Sequence, residues 1–395
     1  MRIKLFLFFY LAAVASLFFY SFTQVDLSLT LSQSSIWQVI QKQFQHIGFF
    51  ERATSTYLYT IIVSLLFVFY FIFLYLARKK KIDSKTVWVA ILFAGILLAF
   101  SYNAFSYDLF NYIFDAKIVT YYHESPFIHK ALDYGGDPML NFMRWTHRTY
   151  PYGPTWLGLT VPLSFLGMNY FLPTFFLFKF LISASFIGSC YMVYKISGKL
   201  FPEDRLFHLS FWALNPLVLI EGLVSSHNDM PMIFLTLSSI YLFILRKRAL
   251  SLVSYVLSVG VKYSTAFLLP VALWLSYLEK KKKPIDWNNV FIALTSLSVL
   301  AMLLASIRTN FQPWYLLPPL SFATFISKRP YVLVPSLVLS IAGVLVYAAY
   351  VYLTDYNKDY PTTVSNIEAA GFALAALLTV VIAMFGKTLR TKLLR

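Results

Sequence analysis

The chain has 395 residues, of which 59% are hydrophobic, 19% aromatic and only 13% charged, with a mean hydropathy of +0.66. A water-facing surface needs about 25% charged residues, so an ordinary soluble domain is excluded and a bilayer is the expected surrounding. The net charge of +16 does not point to nucleic acid, because the basic residues fall in short runs between apolar segments: RKKK (78–81), RKR (246–248), KKKK (280–283), SKR (327–329) and the closing KTLRTKLLR.

The N-terminal MRIKLFLFFYLAAVASLFFYSF has a basic start and an apolar stretch that is long for a signal peptide, with no clear small-x-small cleavage pattern, so a retained first helix is expected. Further apolar segments follow at 56–77, 87–103, 172–194, 206–224, 230–245, 249–262, 264–278, 289–308, 312–327, 331–353 and 367–386. With the first at 5–22, they predict an all-α, polytopic membrane protein of about 12 transmembrane helices. The basic runs then fall on one side, the cytoplasmic side by the positive-inside rule, together with both termini. The chain reads as a single domain over 1–395, with no separate soluble domain and no internal repeat.

One apolar run is left out of the crossings. If WLGLTVPLSFLGMNY (156–170) crossed, KISGKLFPEDR (195–205) and every later basic loop would change sides. With Gly158, Pro162 and Gly167, it suits a helix that dips into or lies along the outer leaflet. The segment from about 104 to 171 is then a large external loop. The lone Cys190, inside an apolar run, is a small core residue.

SYDLFNYIFDAK (106–117) opens that loop and places Asp108, Asn111 and Asp115 on one helical face, opposite Leu109, Phe110, Ile113 and Phe114. Asp108, at the membrane boundary, is either a helix N-terminal charge or a general base for an acceptor hydroxyl. Asp115 orients substrate, holds a metal or decorates an exposed polar face. In MRWTHRTYPYGPTW (143–156), Arg144, His147 and Arg148 are candidates for phosphate contact and Tyr150 for substrate contact.

NPLVLIEGLVSSHNDMP (215–231) carries Glu221 at membrane depth, an expensive placement that implies an inward-facing partner. His227, Asn228 and Asp229 end it. Asn228 and Asp229 suit sugar hydroxyls, and Asp108, His227 and Asp229 are possible ligands of a divalent cation, Mg or Mn, although no cofactor is certain. In VGVKYSTAF (259–267), Lys262 joins two apolar pieces that each climb only ~21 Å, against ~30 Å of hydrocarbon. It is expected at the floor of an outward-open cavity, where a phosphate is its natural partner. SIRTNFQPWYLLPP (306–319) adds Arg308 as a second phosphate contact, while Trp314 and Tyr315 read as an interfacial aromatic belt.

The ordered set Y-D-x-F-x-Y, Y-P-Y-G-P, N-P-L-V-L-x-E ending in S-S-H-N-D, V-K-Y-S and F-Q-P-W-Y-L-L resembles the GT-C superfamily of integral-membrane glycosyltransferases. It is most similar to bacterial polyprenyl-phosphate-mannose-dependent mannosyltransferases, over residues 100 to 320. The resemblance implies Asp108 as the catalytic acid of the external loop, Lys262 and Arg308 near the donor phosphate, and His227 with Asp229 as a second acidic site. It departs from relatives in having S-Y-D in place of a paired acid, Y-P-Y-G-P in place of Y-P-P, and V-S-S before H-N-D.

The implied activity is an inverting transfer of a hexose, mannose above all, from a polyprenyl-phosphate donor to a glycan, glycolipid or protein acceptor at the external face. The partners are thus the lipid-linked donor, the acceptor and the bilayer, with no nucleic acid. The alternative is a transporter or flippase of a lipid-linked glycan, against which stands the clustering of unusual polar residues toward one face.

Overall fold

The computed structural model describes residues 3–393, and among them it contains helices and no strand. α1 (Ile3–Ser21) leads to a short surface helix, α2 (Ser35–Gln45), and returns as α3 (Arg52–Arg78). α4 (Ser84–Ala99) opens the large loop, which holds α5 (Asp108–Thr120) and α6 (Pro154–Leu166). After α7 (Phe171–Leu200) comes a bent pair, α8 (Arg205–Ala213) and α9 (Pro216–Leu219), the latter continued by a π turn over Ile220–Val224. α10 (Asp229–Ile244), α11 (Arg248–Val261) and α12 (Leu269–Lys280) are short. α13 (Trp287–Thr309), α14 (Leu317–Ala323), α15 (Pro330–Leu353) and α16 (Tyr360–Leu393) complete the order.

Among the described residues, six helices are long and apolar enough to cross a membrane, and the bent pair makes a seventh candidate. A count of twelve would require α4, α10, α11, α12 and the 313–326 segment to cross as well. These pieces are short because the chain breaks at polar positions, at Ser225–Asn228 and at Lys262 among them. α6, of 13 residues, climbs about 20 Å at 1.5 Å per residue, in keeping with a run that does not cross.

The core is one connected cluster reaching from Phe6 to Val351. Two tyrosines in the spans satisfy their hydroxyls on the backbone of neighbouring helices, as a dry interior favours: Tyr59 donates to the Val344 carbonyl at 2.7 Å and Tyr70 to that of Phe211 at 2.9 Å. The bend of 53° between α8 and α9 has its cause in Asn215-Pro216. Pro216 cannot donate to the preceding turn, while the Asn215 side chain caps the new one by accepting from Leu217 N.

The basic loops gather at one end of the bundle. Lys80 pairs with Glu203, Lys328 with Asp204 and Arg248 with Glu279, linking the 79–83, 201–204 and 327–329 segments and joining the start of α11 to the end of α12. The final basic run, KTLRTKLLR, extends past the described residues. At the other end, Arg144 and Asp355 pair at 3.0 Å across the large loop and the α15–α16 turn.

Candidate active site

α5 begins at Asp108, and its buried face of Leu109, Phe110, Tyr112, Ile113 and Phe114 presses the helix onto the bundle. That packing carries the carboxylate inward: Asp108 is buried, where the sequence pattern suggested a boundary charge. Facing it is the short strap 225–228. There Ser226 sits at φ 56°, a left-handed conformation that a side-chain-bearing residue adopts only when its surroundings enforce it. The turn aims the His227 ring into the interior.

His227 Nδ1 lies 3.4 Å from Asp108 Oδ2, and its Nε2 lies 3.2 Å from Glu221 Oε2. These are charge contacts, because neither ring nitrogen meets its carboxylate with hydrogen-bond geometry. Burial by itself lowers the imidazole, but the two flanking carboxylates outweigh it and raise His227 to about 9. Burial likewise raises Asp108, and the His227, Lys262 and Arg148 charges outweigh it, leaving the carboxyl below its ordinary value. The His227 ring, favoured in its protonated form, thus stands between the carboxyl groups of Asp108 and Glu221. The ring stacks on Trp314, with centroids 4.1 Å apart and planes at 20°, and an aromatic face suits a cation.

Two residues further on, Asp229 opens α10 and accepts from Lys262 Nζ at 2.7 Å. Lys262 terminates α11 in an extended conformation. The YPYGP turn explains how the loop reaches it. Gly153 N donates to the Val261 carbonyl at 3.3 Å, and a Cβ on Gly153 would stand 2.2 Å from the Gly260 carbonyl oxygen, so only glycine permits this approach. Tyr150 spends its hydroxyl inside the same turn, donating to the Gly153 carbonyl at 3.0 Å.

Lys262 and Asp229 line a cleft of about 540 Å³ with Tyr315, Met302, Ala305 and Phe322. Thr236 and Leu268 border both this cleft and a larger apolar groove of about 850 Å³ between α10, α11, α12 and α13.

The structure thus joins Asp108, Glu221, His227, Asp229 and Lys262, with Asn228 buried among them and its amide without a hydrogen-bond partner. Asp115 lies two turns along α5, half-buried. Burial pushes its carboxyl up to about 8, with Asp108 adding to the rise and Arg148 opposing it. Arg148 is exposed and stacks on Trp145 at 4.6 Å. Arg308 is exposed one turn beyond Ala305 on α13 and does not line the cleft. The three residues expected as metal ligands do not converge on one point: His227 faces carboxylates on both nitrogens and Asp229 is turned to Lys262. Among the described residues no group of three His, Cys, Asp or Glu is placed to hold a metal ion.

Two features differ from the sequence reading. Trp314 and Tyr315 are not an interfacial belt, because the turn Pro313–Leu316 directs one ring onto His227 and the other onto the cleft wall. Lys179 drew no notice in the sequence, yet it is fully buried in α7 and donates to Ser101 Oγ at 3.0 Å and to the carbonyls of Leu223 and Val224 at 2.7 and 3.2 Å. It closes the π turn that delivers Glu221 and the strap. A lone lysine within a long apolar segment was the available signal.

The family model MptA_B, described as alpha-(1->6)-mannopyranosyltransferase, N-terminal domain, matches residues 12–278. GPI mannosyltransferase 1 of Schizosaccharomyces pombe is 27% identical over 159 residues, and that match spans 40% of this chain and 40% of the yeast protein. No solved structure matches the chain.

Proposed function

This chain belongs to the MptA_B family, and from that membership we propose that it transfers a mannosyl unit from a polyprenyl-phosphate donor to a hydroxyl acceptor, with inversion, at the external face of the membrane. The observation that supports it best is the strap 227–229. His227 touches Asp108 and Asp229 touches Lys262, so two residues of separation bring a carboxylate and an ammonium to one site. Its placement opposite the basic loops supports the external side.

In this reading the Asp108 carboxylate, kept ionised by the His227 charge, accepts the proton of the acceptor hydroxyl as that oxygen attacks the anomeric carbon. The carbon–oxygen bond to the phosphate breaks on the opposite face, and its electron pair leaves on the phosphate. Lys262 meets the developing charge, with Arg308 and Arg148 as exposed contacts of the phosphate. Asp229 orients Lys262, and Glu221 acts through His227. The Asn228 amide and Asp115 serve sugar hydroxyls. The groove beyond Thr236 and Leu268 takes the prenyl chain, whereas α6 lines neither the cleft nor the groove.

The test is purified protein in proteoliposomes given polyprenyl-phosphate mannose and a mannoside acceptor, with product and lipid phosphate both measured. Asp108→Asn is expected to lower transfer by about 10²–10⁴, the usual share of a general base, in protein that still folds cooperatively at a somewhat lower melting temperature. A normally folded, active variant removes the role from Asp108. Movement of lipid-linked sugar across the bilayer without transfer would favour a transporter.

A further inference from the structure

α2 has its polarity reversed. In a helix on a water-facing surface the apolar stripe turns inward and the polar one outward. Here Gln41 and Gln45, one turn apart, are buried. The Gln41 amide donates to the Leu29 carbonyl at 2.7 Å, and that of Gln45 donates to the carbonyls of Val25 and Asp26 at 3.2 and 3.1 Å. Leu31 N and Trp37 Nε1 donate back to Gln41 Oε1. The opposite face carries Ile36, Val39, Ile40 and, beyond the helix end, Phe50, at 73, 58, 39 and 69% exposure. These positions recur at helical spacing, with exposed Gln43 among them and Lys42 at the edge.

The position of α2 says what covers that face. The helix lies between the end of α1 and the start of α3, two of the six membrane-span candidates. Those two spans carry exposed Phe19, Tyr57 and Leu58 close to the ends that lead into and out of it. At 11 residues it is about 17 Å long and cannot cross, while glutamines turned in and aliphatics turned out are the arrangement that lipid demands.

We infer that α2 is an in-plane helix seated in the membrane leaflet that borders the active site, its Ile36, Val39, Ile40 and Phe50 face among the upper acyl chains. Lys42 reaches back to the headgroups. The segment that precedes it is tied to the loop region that carries Asp108: Asp26 N donates to Tyr102 Oη and Ser28 Oγ to the Asn141 carbonyl, each at 3.3 Å. The helix thereby fixes the height of that region above the lipid, whatever reaction the site performs.

Cys190 is the only cysteine, and it is buried, so single nitroxide labels can be placed on the full-length protein in proteoliposomes through Ile36→Cys, Val39→Cys, Ile40→Cys and Phe50→Cys, with Gln33→Cys as a water-facing control. Relaxation by oxygen should exceed relaxation by a water-soluble nickel chelate several-fold at the four positions and reverse at 33. Dominance of the nickel chelate at 36, 39 and 40 would place the face in water and overturn the inference. Protection from both reagents would overturn it too. Protection with spin–spin broadening that vanishes on dilution with unlabelled protein would mark a second copy as the occupant, and protection without it a cover from the same chain.

Discussion

Lys179 and Lys262 are both lysines in apolar surroundings, and the protein uses them in opposite ways. Lys179 is sealed inside the bundle, and its amine is met by one hydroxyl and two carbonyls, all neutral. Lys262 keeps 21% of its side chain exposed, faces a carboxylate and stands on the wall of a cleft. A lysine at membrane depth is expensive in both places. Neutral acceptors that enclose it make it a strut, whereas one carboxylate and an open side leave donors for a phosphate.

The comparison breaks first at the pair of substitutions Lys262→Met and Asp229→Asn. Lys262→Met alone leaves Asp229, its side chain 2% exposed, as an unpaired buried charge, a loss of about 3–5 kcal/mol, and should lower both melting temperature and transfer. The double variant should recover melting but keep transfer down by on the order of 10² or more. Recovery of transfer would make Lys262 another strut. Lys179→Met should behave differently. It strips the donor from Ser101 Oγ and from the carbonyls of Leu223 and Val224, at about 1–3 kcal/mol for each buried acceptor left unsatisfied, so melting should fall steeply, and activity should fall only with the folded fraction. A normally melting, inactive Lys179→Met would erase the distinction.

Next in size is a pH effect on the row beside Lys262. His227 is raised from 6.5 to about 9, so the stability of its imidazolium is complete below 6.5 and is lost as pH rises through 9. Asp108 is lowered from 3.8, and its share is present above that value and lost as pH falls through the folded one. Melting temperature against pH should therefore show an alkaline fall near 9 that His227→Gln abolishes. Persistence of the fall in that variant would assign it elsewhere.

Trp314→Leu removes the ring under the imidazolium, an interaction of about 0.5–2 kcal/mol, and should move the alkaline fall to lower pH by roughly 0.4 to 1.5 units. An unmoved fall would reduce the stack to packing. The smallest effect belongs to Asp115, because its side chain is only half-buried and solvent screens most of its shift. Its carboxyl, raised from 3.8 to about 8, withdraws stability as pH climbs between those values. Asp115→Asn should flatten that decline and melt slightly higher at pH 8, and a steeper decline would contradict its burial.

Much of this site was legible residue by residue. Asp108, Glu221, His227, Asp229 and Lys262 each broke a local rule, a charge or a ring where a membrane segment should be apolar, and a broken rule needs no tertiary information to be seen. The pairings were less visible. Trp314 obeys the interfacial habit of tryptophan, so its stack on His227 leaves no local trace. Arg308 matched a basic position, but its helix stops a turn past the cleft wall. The face of α2 has an ordinary amphipathic period in sequence, because period does not say which side faces in.

The sequence by itself determined a helical membrane protein with its basic loops sorted from a polar, acid-bearing set, because hydrophobic run length and charge are properties each segment carries alone. Only the tertiary structure decided that His227 stands between Asp108 and Glu221, that Asp229 takes Lys262, and that α2 turns its glutamines inward. Those outcomes depend on distances across the chain, set by the close approach of Gly153 to Gly260, the turn at Ser226 and the bend at Pro216. A buried charge takes whichever partner the packed backbone brings within reach.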